Sequence, residues 1–162
     1  MDKTPNRKAV TALLAEYKNV IVALQHVIGD VSHDNLMAVV DQSTSNPECQ
    51  SIQTILSHVV SSGYSYCGYI RKFRKEQDER PGKIHRTNTI EYSHDLDLLI
   101  LYTNATFAAI HDEDLEEFEE VKKMKTSWGQ IYDIEQMMEH AIVHVLRHRR
   151  QIEKFKRKLG LM

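Results

Sequence analysis

Apolar residues recur along this chain at steps of three and four, in four long stretches separated by polar segments. The first stretch runs from about Thr4 to Ile28, with Val10, Leu13, Leu14, Tyr17, Val20, Ile21, Leu24, Val27 and Ile28 on one stripe. That spacing predicts an amphipathic helix, and Gly29-Asp30 predicts its stop. Ser32 to Val40 predicts a helical turn or two before the polar loop DQSTSNPE. A second pattern, from about Glu48 to Gln77, aligns Ile52, Ile55, Leu56, Val59, Gly63, Tyr66, Ile70 and Phe73, and RPGK at 80–83 predicts its end. The third is expected to start near Ser93, a good capping residue with Asp95 in the first turn, and to run through LDLLILYTNATFAAI. His111 to Gly129 reads as a long acidic connection with a small hairpin around Lys122–Trp128. The fourth helix is expected from about Ile131 to Lys158. Four amphipathic helices without a comparable strand pattern predict an all-α helix bundle.

The last helix carries the chemistry. Its steps Ile134, Met138, Ala141, Val145, His148, Ile152, Phe155 and Leu159 alternate four and three, so His148 occupies a core position outright. At 100° per residue, His144 lies roughly 40° from it and His140 roughly 80°. His144 and His148 therefore face inward, while His140 sits toward the rim. A single histidine on such a stripe is a satisfied core residue. Two inward imidazoles one turn apart are harder to satisfy, because each needs partners for both ring nitrogens. A shared metal ion resolves the problem, and the remaining ring nitrogens then find outer acceptors.

Such a site needs a third protein ligand. His58 lies inside the second helix, roughly 100° from Val59 and so on the flank of the stripe. His26 and His111, near the ends of the first and third helices, are its rivals on geometry. His33, His85 and His94 read as surface residues. Familiar metal motifs are absent. Ala141 and Val145 follow His140 and His144, so there is no HExxH, and Glu91–His94 is the one ExxH match where a di-iron bundle needs two. No Ser/His/Asp or glycine-rich phosphate motif occurs, and Cys49 and Cys67 form no CxxC pair.

The string EHAIVHVLRHRRQI, preceded by WGQ–YDIEQM and paired with ILSHV on the second helix, resembles the DinB/YfiT-like superfamily over nearly the whole chain. The resemblance implies a single domain spanning 1–162, an up-down four-helix bundle, often dimeric, that holds a divalent metal (commonly nickel or zinc) through three histidines. Carried over by position, the ligands are His58, His144 and His148, with His140, Gln151 and Arg149 at the pocket or behind the ligands. Where members often show HRGQ, this chain reads His148-Arg149-Arg150-Gln151, which puts an arginine beside the site. Some members are thiol-dependent S-transferases and others are described as metal-dependent hydrolases.

Three neutral imidazoles leave the ion its full charge, which can lower a bound water's pKa from 15.7 to about 7 or hold a thiol as thiolate. The expected function is thus activation of a small thiol or water for attack on an electrophile. The alternative is a non-catalytic metal-binding or stress-response module. No protein nucleophile is expected, and no acidic base is identifiable near the ligands: Asp133 faces the right way but lies about 16 Å along the axis, and Glu16, Asp95 and Asp97 cannot be placed. Tyr64, Tyr66, Tyr69 and Tyr102 are candidates for lining the pocket.

Composition adds exclusions. The 162 residues carry a net charge of -2, so neither nucleic acid nor an anionic membrane is favoured as a partner. Only Arg147 to Lys158 is strongly basic: a solvated helix end, or an anion-binding rim near the site. The start lacks signal-peptide features and the cysteines form no obvious redox motif, so the cytoplasm is the expected location. Met and aromatic residues outside the four stripes point to a homodimer.

Overall fold

Which helices pack side by side decides which histidines can meet. The computed structural model describes residues 6–162. It contains α1 (Lys8–Ile28), the short α2 (His33–Met37), α3 (Ile52–Phe73), α4 (Thr89–Thr106) and α5 (Ile134–Lys158). α1 packs on α5 and α4, and α3 packs on α4 and α5, so each long helix has two long neighbours. Three-residue 3-10 turns lie at Pro47–Cys49, Asp112–Asp114 and Glu120–Lys122. A small antiparallel hairpin pairs β1 (Met124–Lys125) with β2 (Ile131–Tyr132). None of the described helices is long and apolar enough to cross a membrane.

The helix starts follow from capping chemistry. Asp133 accepts from the Gln136 backbone N–H at 2.8 Å while the Gln136 side chain accepts from the Asp133 N–H at 3.0 Å, a reciprocal cap that fixes where α5 begins. Ser51 and Thr54 do the same for α3. α4 begins one turn earlier than Ser93 predicted, because Asn88 accepts from the Glu91 N–H at 2.9 Å. The added turn buries Tyr92, whose hydroxyl lies 2.5 Å from the Ser57 Oγ of α3. The unbroken run Leu98–Leu101 gave the pattern no phase with which to find that start.

Other boundaries also move. Residues 4 and 5 of the expected first helix lie outside the described residues, and α1 itself starts at Lys8. α3 is shorter than expected at both ends. Glu48 sits in the Pro47–Cys49 turn, and the chain leaves the helix after Phe73, with Lys75 in the left-handed region at φ 60°. Phe73, expected on the apolar stripe, is exposed there. The hairpin falls a few residues later than expected, its turn closed by bonds from the Thr126 N–H and hydroxyl to the Gln130 carbonyl.

The core stripe of α5 is buried from Ile134 through Phe155, His148 included. α3 meets α1 and α4 at Gly63. A Cβ there would come within 2.5 Å of Leu99 Cδ2 and 2.7 Å of the Tyr17 hydroxyl. Gly63→Ala gains about 1 kcal/mol of helix propensity but must push two buried side chains apart, at a cost of about 1–3 kcal/mol. The overlap involves two separate helices, so the cost wins. A lowered urea midpoint with an unchanged slope is the expected result.

Candidate metal centre

Because α3 and α5 are neighbours, the flank of one and the core stripe of the other converge. One nitrogen from each of His58, His144 and His148 lies within 4.8 Å of the others. The three rings form a triangle with centroid separations of 4.9 Å (His58–His144), 5.0 Å (His58–His148) and 4.4 Å (His144–His148). His58 Nε2 and His144 Nε2 are 3.0 Å apart. Nitrogens bound to one tetrahedral ion at about 2.0–2.1 Å stand about 3.3 Å apart, so this pair is close to ligand spacing.

Two of the rings are aimed from behind. His58 Nδ1 lies 2.8 Å from a carboxylate oxygen of Glu48, so that nitrogen carries the proton and Nε2 keeps its lone pair. His148 Nδ1 lies 3.0 Å from the Gln151 side-chain oxygen, which fixes the same tautomer. Glu48 is itself held by the Lys83 ammonium, chiefly through which its carboxyl is kept below the usual range, so it stays an anion facing His58.

The rings are kept neutral. Burial pushes His144 down to about 3, with the neighbouring His148 and His58 adding to the effect. Burial also lowers His58 and His148, against the opposing pull of Glu48 on the first and Gln151 on the second. Three neutral imidazoles with converging lone pairs, and no thiolate or carboxylate among them, are a donor set suited to zinc or nickel.

The triad separates two clefts. One, of about 1010 Å³, is lined by His58, His144 and His140, by Tyr66, Tyr69 and Trp128, and by a mixed set of charges including Lys72, Glu76, Asp78 and Arg80. His140 stacks on Trp128 with ring centroids 5.2 Å apart, and its Nδ1 lies 3.2 Å from the Tyr132 hydroxyl. Tyr69 accepts from the Ser127 N–H at 2.8 Å, pinning the hairpin tip that carries Trp128. The other cleft, of about 910 Å³, is reached past His144 and His148 and is lined by Arg147, Arg150, Gln151 and Lys154 of α5, with Asn46 and Cys49 opposite.

A scan against protein-family models matches the DinB family over residues 6–162. The chain belongs to the DinB family. Comparison with curated proteins and with solved structures returned no match.

In this DinB-family chain the rival histidines fall away from the triad. His26 is exposed, and His111 lies against Asp114 at 4.0 Å. His33, His85 and His94 are on the surface, as their positions implied. Arg149 lines neither cleft; its Nε lies 3.5 Å from Glu153, and it is Arg150 that faces the cavity. Of the four tyrosines, Tyr66 and Tyr69 line the larger cleft, whereas Tyr64 packs against Tyr102 with centroids 5.1 Å apart. The carboxylates considered as bases are occupied: Asp133 caps α5, Asp95 pairs with Arg86 at 2.8 Å, and Asp97 accepts from Gln25 at 2.9 Å. Glu16 is exposed on α1 and lines neither cleft.

Sequence reasoning missed Glu48 and Trp128. Glu48 lies ten residues before His58 in a segment read as loop and helix start, and nothing in a helical period connects the two. The available signal was Asn46-Pro47, a cap and a first-turn proline, which predicts a separate turn there but not which helix it packs on.

Proposed function

We propose that this chain is a divalent-metal-dependent enzyme that holds one ion per chain between His58, His144 and His148. The observation that supports it most is the convergence of three neutral imidazoles from two helices at the floor of two open clefts. Zinc or nickel is the ion the donor set favours. When bound, such an ion supplies a Lewis acid that favours the deprotonated form of a thiol or a water molecule.

The chain's own residues do the rest. Glu48 and Gln151 hold the Nδ1 protons of His58 and His148 and so turn both Nε2 lone pairs inward. Tyr66, Trp128 and His140 wall the larger cleft with aromatic faces that exclude water and orient an acceptor. The reaction read from this arrangement is thiol-dependent S-transfer or hydrolysis, with attack on an electrophile held in that cleft. His140, at the cleft wall beside the triad and with one nitrogen turned to the Tyr132 hydroxyl, is placed to take up a proton there. The ring of contacts α1–α4–α3–α5 supports a four-helix bundle; an up-down arrangement of its helices, and a homodimer in the cytoplasm, belong to the same proposal.

Elemental analysis of protein purified without chelator tests the metal, with one equivalent of zinc or nickel expected per chain. A panel of low-molecular-weight thiols and electrophilic acceptors tests turnover, and His148→Ala should abolish any activity found. Metal without activity across the panel would support a non-catalytic metal-binding module instead; no metal would overturn the reading.

A further inference from the structure

The two clefts that meet at the histidines differ in charge, and the smaller has no counter-charge of its own. Its lining includes Arg147, Arg150 and Lys154 and no carboxylate. Steps of three and four place these residues with Gln151 along one face of α5, directly beyond His148. Arg147 lines the same cleft as His144 and His148.

Two other cations of the same helix are neutralised, while Arg157 and Lys158 are exposed at its end and do not line the cleft. Arg149 faces Glu153 at 3.5 Å, and the buried Lys156 is held by Asp30 at 2.5 Å and by the Val27 carbonyl at 2.7 Å. The larger cleft sets Glu76 and Asp78 among its lysines and arginine. Among the described residues, Arg147, Arg150 and Lys154 take part in no ion pair and no side-chain hydrogen bond within the chain. In a chain of net charge -2, three uncompensated cations around one concave wall repel each other, and an anion between them relieves that cost.

We propose that this cleft is an oxyanion subsite: it binds the carboxylate or phosphate of a small anionic substrate whose reacting atom reaches the histidines. The inference rests on the reading of the triad as a reaction centre for the role of the subsite, though not for its existence. Two guanidinium groups suit a planar carboxylate or a phosphate through paired N–H donors, Lys154 adds a point charge, and Gln151, committed to His148 through its oxygen, has its amide N–H groups left to donate. A substrate spanning both sides of the triad would leave its anionic end here and its electrophilic or apolar end against Tyr66 and Trp128.

Calorimetric titration with inorganic phosphate and, separately, with succinate at low ionic strength tests the subsite. Three samples are compared: wild type, the triple variant Arg147→Gln/Arg150→Gln/Lys154→Gln, and wild type stripped of metal by a chelator that is then removed. The three cations are exposed, so the triple variant should fold normally, which circular dichroism checks. Saturable binding of at least one probe to wild type is expected, weakened roughly tenfold or more in the triple variant. Binding to the stripped wild type should stay within about threefold of untreated protein, because the cations and not an ion on the histidines hold the anion. Which probe wins separates phosphate from carboxylate. Absence of saturable binding with both probes overturns the proposal, as does affinity unchanged in the triple variant or lost on stripping the metal. A wild-type protein devoid of metal would sink the triad reading alone and leave the calorimetric result standing.

Discussion

His144→Ala is expected to reduce the bound metal from one equivalent per chain to near none, with helical content unchanged. His144 is half-buried beside the other two rings, with its Nε2 3.0 Å from that of His58, so its loss removes the donor that meets α3 most closely. Removing an outer partner of a ligand costs about 10–100-fold in affinity; removing a ligand itself should cost more. Competition with a chromophoric chelator measures the difference. A variant that keeps a full equivalent at wild-type affinity would show that the ion sits elsewhere.

The same residue carries a pH signature in protein stripped of metal by chelation. Burial holds His144 at about 3, against an ordinary value of 6.5. As pH falls below 6.5, the unfolded chain takes up this proton and the folded one does not, so the unfolded state binds more protons and folding stability declines toward pH 3. His144→Ala removes that contribution, and its acid loss of stability between those limits should be shallower than in wild type. A slope identical to wild type would mean that the imidazole is solvated in the folded protein.

How much of this was visible in the chain depends on whether a contact follows a period. The register Ile134 to Phe155 placed His148 in the core, with His144 and His140 to one side, and the structure buries His148 and leaves the other two half-buried, because a helix turns 100° per residue wherever it packs. His58 was different. Its position on a flank was readable, but that the flank faces α5 and not solvent depends on the packing order of four helices. Only the resemblance to DinB-like proteins, through ILSHV, singled it out from His26 and His111. Glu48 and Trp128 were beyond reach because each arrives on a non-helical segment whose path is fixed by tertiary contacts. For Glu48 these are the Asn46 cap and the Lys83 ammonium; for Trp128, the bond from Ser127 to Tyr69. The α4 start failed for a related reason: its apolar residues lie on all sides, several of them exposed, so phase carried no boundary information.

Glu48 supplies the second large effect, and it acts through His58 alone. A free imidazole divides its proton between two nitrogens; the carboxylate 2.8 Å from Nδ1 settles that division in favour of the tautomer with Nε2 bare and raises the basicity of that nitrogen. Glu48→Gln keeps the shape and can still accept from Nδ1 through its amide oxygen, but loses the charge and weakens the tie to Lys83. Glu48→Ala loses the acceptor altogether. Metal affinity should therefore fall in graded order, by up to about 10-fold for the glutamine variant and about 10–100-fold for the alanine variant. Because Glu48 lies in a partly exposed turn outside the helical core, the thermal stability of chelated protein should change little in either variant. That pairing of readouts separates positioning from simple loss of structure: equal falls in stripped-protein stability and metal affinity would make Glu48 a fastener of the loop, whereas a fall in affinity alone makes it the residue that orients His58.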